Sequence, residues 1–182
     1  MVYQNTENSY GLVAKFLHWT IGLMIITMII GGFLMKNIDS PLKYDIYYFH
    51  KATGTLLLVL VSIRLIWRLV NVRVNLPSDL PQWQKNLAIL NINILYFLMF
   101  LMPISGFFMT ILADRNIDVY GLFTIESFVQ NRGMATIFYK IHEFTPFILC
   151  TFIFLHILAT IYHHFIRHDS VFNRMWFTSK ND

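Results

Sequence analysis

Four histidines, His18, His50, His142 and His156, stand at or inside the ends of strongly apolar segments, where a titratable side chain is costly and usually present for a reason. Neutral imidazole is a good iron ligand, and burial away from water favours that uncharged form. His142 and His156 lie 14 residues apart on one segment, and at about 100° per residue they return to within roughly 40° of the same helical face. At 1.5 Å per residue they are stacked about 21 Å apart, a spacing that suits two metal centres at different membrane depths. The pattern points to haem. Any one of these histidines alone is equally well read as a polar residue in a bundle interior, so the grouping carries the reading.

The elements that must position them are apolar. The chain of 182 residues is 56% hydrophobic and 13% charged, with a mean hydropathy of +0.54, far beyond a soluble domain of this length. Runs long enough to cross a bilayer fall at about residues 12–35, 50–70, 87–112 and 142–166. The expected fold is an all-α, integral membrane four-helix bundle, one domain over residues 1–182, with both termini cytoplasmic. The first run is too long for a signal peptide, follows no basic cluster and ends without a small-residue cleavage site, so it is expected to stay as an anchor. Cys150 is the sole cysteine and no C-x-x-C-H is present, so haem would be held noncovalently. No repeat or low-complexity tract marks a second domain.

Orientation follows from the basic residues near the span ends. Arg64 and Arg68 close span two, Arg73 and Lys85 lie between it and span three, and Arg167, Arg174 and Lys180 lie in the tail. With Lys15, that face holds eight of the fourteen basic residues and four of the ten acidic ones. The charge therefore reads as topology, and nothing in the chain marks a nucleic-acid-binding domain. An inward N-terminus puts His18 and His156 at the cytoplasmic level and His50 and His142 at the outer level. Each pair would clamp one iron from both sides. With both axial positions filled, the chemistry expected is one-electron transfer rather than oxygen activation.

The surroundings favour a flat ligand. Gly22 lies four residues after His18, Gly11 seven before it, and Gly54 four after His50; positions one turn away share a face, although membrane glycines also serve close helix packing. Arg64, 14 residues after His50, is placed to meet haem propionates at the cytoplasmic level; the competing account is an arginine snorkelling at the membrane edge. Lys51 would do the same for the outer haem, or lie exposed at the interface. His163, seven residues after His156, continues its face toward a propionate, a quinone carbonyl or a proton path. Pro103 and Pro146 should bend or loosen their helices. Trp19, Trp67, Trp83 and Trp176 fit interfacial belts.

Over nearly the whole chain these residues resemble the bacterial cytochrome b561 family, four-helix, two-haem, quinone-linked electron carriers. The resemblance rests on His18-Trp19, on His50-Lys51-Ala52-Thr53-Gly54 with Arg64 and Arg68 after it, and on Pro103-Ile104-Ser105-Gly106. The last part carries His142, His156, the run His163-His164-Phe165-Ile166-Arg167-His168-Asp169, and Arg174-Met175. It implies axial ligation of two haem b groups by His18, His50, His142 and His156. Two departures stand out: Ile92 occupies a position where relatives often carry a histidine, and the long outer loop from Ala113 to Lys140 matches poorly apart from Gly121.

The resemblance implies a multi-pass cytochrome of the bacterial inner membrane that passes single electrons between an outer-face donor or acceptor and ubiquinone as substrate. Some relatives oxidise superoxide, so superoxide:ubiquinone oxidoreductase is the specific enzymatic version; a redox partner protein at the outer face is the other option. The alternative function is a haem-carrying membrane anchor subunit of a larger dehydrogenase or hydrogenase. A haem-free transporter with proton-relaying histidines is a third reading.

Overall fold

The computed structural model describes residues 2–177; Lys180, counted above for orientation, lies outside them. Four long helices form the bundle: α1 Leu12–Asn37, α2 Leu42–Val70, α3 Gln82–Leu112 and α4 Arg132–Phe165. All four are long and apolar enough to cross a membrane. A hairpin of β1 Ile117–Val119 and β2 Phe123–Ile125 follows α3, and a short helix α5, Val171–Met175, follows α4. The fold is the all-α membrane bundle that composition implies, and both ends of the described chain lie at one end of it.

The helices overrun the hydropathic limits. α2 begins at Leu42 rather than near residue 50, and α4 at Arg132 rather than near 142. Hydropathy sees the apolar core, whereas the backbone ladder continues through polar turns outside it. The α4 start is marked by Asn131, whose side chain accepts from the Met134 N–H at 3.1 Å, a normal N-cap arrangement. The connection between α3 and α4 is correspondingly shorter than the expected loop from Ala113 to Lys140, and much of it is hairpin.

The bundle is apolar on its surface as well as in its core. Its buried core is thin, drawn from Leu17, Ile21 and Ile25 of α1, Leu57 and Val61 of α2, Leu98 of α3 and Leu149 of α4. Phe16, Leu23, Ile66, Phe97 and Phe144 point outward and are exposed, as befits a surface solvated by lipid. α1 packs along α2, α2 along α3, and α3 most extensively along α4. Contacts recorded between α1 and α4 are made by side chains: His18 with His156, Phe33 with Phe147, Lys36 with Glu143.

At the termini end, three segments interlock. The Asn75 N–H donates to Glu7 O at 2.8 Å, the Asn5 N–H to Asn71 Oδ1 at 3.0 Å, and Arg174 to Asn75 O. Gly11 sits where the chain turns into α1, and a Cβ there would collide with the Tyr3 and Gln4 carbonyl oxygens. Gly11 therefore serves this crossing, not a ligand near His18. Trp19 donates to Met175 O at 3.0 Å and meets Trp176 edge-on. Trp67 is not a belt residue: it packs against the core with its indole Nε1 buried and unpartnered.

At the opposite end the hairpin is pinned to α2. Tyr48 donates to Asp118 Oδ1 at 2.8 Å, Lys51 Nζ to Asn116 O at 3.2 Å, and Thr53 Oγ1 lies 2.6 Å from the Tyr120 hydroxyl. Tyr120 and Gly121 turn the hairpin with φ of 56° and 71°, the left-handed region that favours glycine. The Gly121 N–H, followed by the Tyr48 hydroxyl, holds the Asp118 carboxyl below its usual pKa of 3.8. A depressed carboxyl contributes stability that is complete above its unfolded pKa and lost as pH falls through the folded value. Asp118→Asn is thus expected to speed amide exchange across residues 117–125 at neutral pH, and wild type to approach that behaviour only well below pH 3.8. Equal exchange in the two proteins at pH 7 would discount the clasp.

Candidate functional site

The four helices bring the histidines together in two pairs. His50 of α2 and His142 of α4 face each other near the hairpin end, with ring centroids 6.1 Å apart and planes at 88°. His18 of α1 and His156 of α4 face each other toward the termini end, also at 6.1 Å, with planes at 64°. A metal–imidazole bond of about 2 Å plus about 1.1 Å from nitrogen to ring centre puts two trans imidazoles about 6 Å apart. Aromatic packing alone spans about 4.5–7 Å, so the separation admits a shared ion and the surroundings must discriminate.

Those surroundings are built for more than packing. His142 Nδ1 donates to the Met102 carbonyl at 2.9 Å, which directs its other nitrogen into the bundle. A buried imidazole fixed this way is the usual posture of a metal ligand. His50 Nδ1 is buried with no hydrogen-bond partner. His50 and His142 both line an apolar cavity of about 220 Å³, together with Gly32, Gly54 and Gly106. Lys36, Lys51 and Glu143 also line it, and Lys36 pairs with Glu143 at 2.6 Å.

At the other pair, Arg64 Nη2 donates to His18 Nδ1 at 3.0 Å and Nε donates to the Tyr96 hydroxyl at 3.2 Å. Its Nη1 is buried and unpartnered, and no carboxylate is among its hydrogen-bond or ion-pair partners in the described residues. Arg64 is therefore not snorkelling: it is drawn into the bundle, and a buried guanidinium without an anion is a costly arrangement. Arg68 stacks over the Tyr96 ring, 5.3 Å from its centroid.

The remaining sequence candidates divide. A Cβ at Gly22 would meet nothing within 4 Å, so this glycine is not a close-packing position. At Gly54 a Cβ would sit 3.5 Å from Met28 Cε, in ordinary contact. Lys51 stands at the cavity rim but spends a hydrogen bond on the hairpin. His163 is not free toward the bundle centre: its Nδ1 donates to Asp169 Oδ2 at 2.5 Å, and Arg167 ties that carboxylate to Asp79. Burial raises the Asp169 carboxyl, but the bonds from His163, the Val171 N–H and Arg167 outweigh it and hold the group below its usual range.

Gly32 and Gly106 were not legible as site residues. A Cβ on Gly32 would lie 3.5 Å from His50 Cε1, and one on Gly106 only 2.8 Å from His142 Cε1. Gly106 closes the Pro103-Ile104-Ser105-Gly106 run, but on α3, which carries none of the four histidines, nothing in the spacing connects it to His142.

Among the described residues no three His, Cys, Asp or Glu side chains converge on a point, so these residues build no cage for a bare ion. Two imidazoles suffice for a metal whose other ligands a macrocycle supplies. The glycine-lined cavity at His50 and His142 suits a flat group of that kind, and the unpartnered Arg64 donor beside His18 suits an anionic one.

Residues 9–178 match the prokaryotic cytochrome b561 family. The chain is also similar to cytochrome b561 homolog 2 of Escherichia coli (strain K12), 26% identical over 191 aligned positions that span all of this chain and 98% of that protein. The chain belongs to the prokaryotic cytochrome b561 family: it is a multi-pass bacterial membrane protein of electron transfer, whose cofactor is haem b.

Proposed function

We propose that the protein is a di-haem cytochrome of the bacterial inner membrane that passes single electrons between its outer face and ubiquinone in the bilayer. The observation that carries this is the double pairing of buried histidines at two levels, each ring pair at 6.1 Å. His50 and His142 would hold the outer haem, His18 and His156 the inner one. Bound there, each haem supplies a reversible one-electron centre. The excess of basic residues beside the termini end supports a cytoplasmic location for both termini.

The chain's own residues prepare the inner site. His18 would hold the inner group by its ring nitrogen, and Arg64, whose Nη1 is buried without a partner beside it, would supply a cation for a propionate. At the outer site, Lys36 and Lys51 line the cavity and would meet an anionic group there by giving up Glu143 and the Asn116 carbonyl. The apolar walls exclude water, which favours the neutral imidazoles that ligation needs.

Superoxide is the electron donor that this reading assigns to the outer face. Superoxide generated beside the purified, haem-loaded protein is expected to reduce it and, with added ubiquinone, to yield quinol. A fully loaded protein that superoxide leaves oxidised would sink that assignment. Co-purification of a stable flavin or iron-sulfur subunit would instead support the reading as an anchor for a larger dehydrogenase or hydrogenase.

A further inference from the structure

α3 carries none of the paired histidines, yet it makes the most intimate contact with one of them. The Met102 carbonyl receives His142 Nδ1–H at 2.9 Å and the Ser105 hydroxyl at 2.8 Å. Ser105 Oγ also lies 3.2 Å from Nδ1, and the residue is wholly buried. Next to it, Gly106 leaves the His142 ring its place: a Cβ there would stand 2.8 Å from Cε1 and 3.1 Å from Nδ1. Real Cβ atoms do not approach that closely, and the ring, held by its hydrogen bond, would have to leave the carbonyl.

This cradle selects one tautomer. With Nδ1 unprotonated, its lone pair would face that of the Met102 oxygen at 2.9 Å, a repulsive contact in a low-dielectric setting. The other histidines are held differently: His50 Nδ1 has no partner, and His18 Nδ1 accepts from the Arg64 cation. A ligand imidazole whose far N–H donates to a carbonyl is more basic and favours oxidised iron. A neighbouring guanidinium favours the added electron.

We propose that Gly106 and Ser105 are positioning residues for His142: they hold its ring on the Met102 carbonyl, leave Nε2 as the metal-facing nitrogen, and set the outer centre at the lower reduction potential. Electrons entering at the outer face would then run downhill to the centre beside Arg64. The inference rests on the reading of His142 as an axial ligand.

The test is a redox titration of the purified holoprotein followed optically, with electron paramagnetic resonance of the oxidised form. Gly106→Ala is expected to raise the lower of the two midpoints by at least tenfold in equilibrium constant, about 59 mV for one electron. The higher midpoint should stay, and one low-spin ferric signal should shift. Both midpoints unmoved at full haem content, or movement of the higher one alone, would overturn the proposal. If Gly106→Ala expels a haem, Ser105→Ala decides, because it removes a hydroxyl and adds nothing: a shift confined to the lower midpoint supports the cradle, and none overturns it. Failure of the underlying ligand reading would look different, as His142→Ala retaining full haem content.

Discussion

His142→Ala and His156→Ala, two substitutions on one helix, are expected to remove different haems. His142→Ala should cost the haem that His50→Ala also costs, and His156→Ala the one that His18→Ala costs. Each single variant should keep about half the haem and a spectrum lacking one component of the α band. The effect is expected to be large because a haem left with one of its two imidazoles would be held mainly by apolar contact. Stability should follow: removing a ligand present at a thousandfold over its Kd withdraws about 4 kcal/mol from the folded state. Haem quantification on the four variants, and then on the doubles, is the measurement. His18→Ala/His156→Ala should resemble its parent singles, whereas His18→Ala/His50→Ala should be haem-free. Losses in the crossed pattern, His18 with His142, would refute the pairing that the ring contacts imply.

Arg64→Gln is expected to lower the inner midpoint and leave the outer one in place. The side chain is the buried cation nearest the His18 and His156 rings, with its Nη2 3.0 Å from His18 Nδ1. A unit charge about 8 Å from a redox centre, at an effective dielectric of about 20, is worth about 2 kcal/mol, or roughly 90 mV for one electron. Glutamine keeps donors for Tyr96 and for a propionate but not the charge, so electrostatics and packing separate. Arg64→Lys, which keeps the charge and loses the fork, should recover most of the potential. An Arg64→Gln protein with full haem content and an unshifted inner midpoint would remove Arg64 from the redox function and leave it a structural residue of α2 and α3.

Much of this molecule is legible in the chain because the bilayer imposes few options. Apolar runs near 20 residues have to become helices, since lipid offers backbone groups no other partner. Four such runs bring both ends of the described chain to one end of the bundle. Histidines at measured positions along those runs acquire depths, and depth alone groups His18 with His156 and His50 with His142; the folded helices hold those same rings at 6.1 Å. The helix limits were less legible. α2 and α4 extend well beyond their apolar cores, because hydropathy reports what touches lipid and not where hydrogen bonding stops. The hairpin and its Asp118 clasp left only Gly121 as a visible trace.

The sequence by itself determined the number of spans, the candidate ligands and their levels, all of which depend on one-dimensional spacing along rigid helices. Only the tertiary structure decided what touches the ligands from other helices. It assigned Gly11 to a chain crossing, tied His163 to Asp169, and drew Arg64 inward beside His18. It also brought Gly106 and the Met102 carbonyl of α3 against His142. The contacts of Arg64 with His18 and of the Met102 carbonyl with His142 join residues 46 and 40 positions apart through the rotation and offset of packed helices, and no periodicity within a single helix encodes the face that a neighbouring helix will present to it.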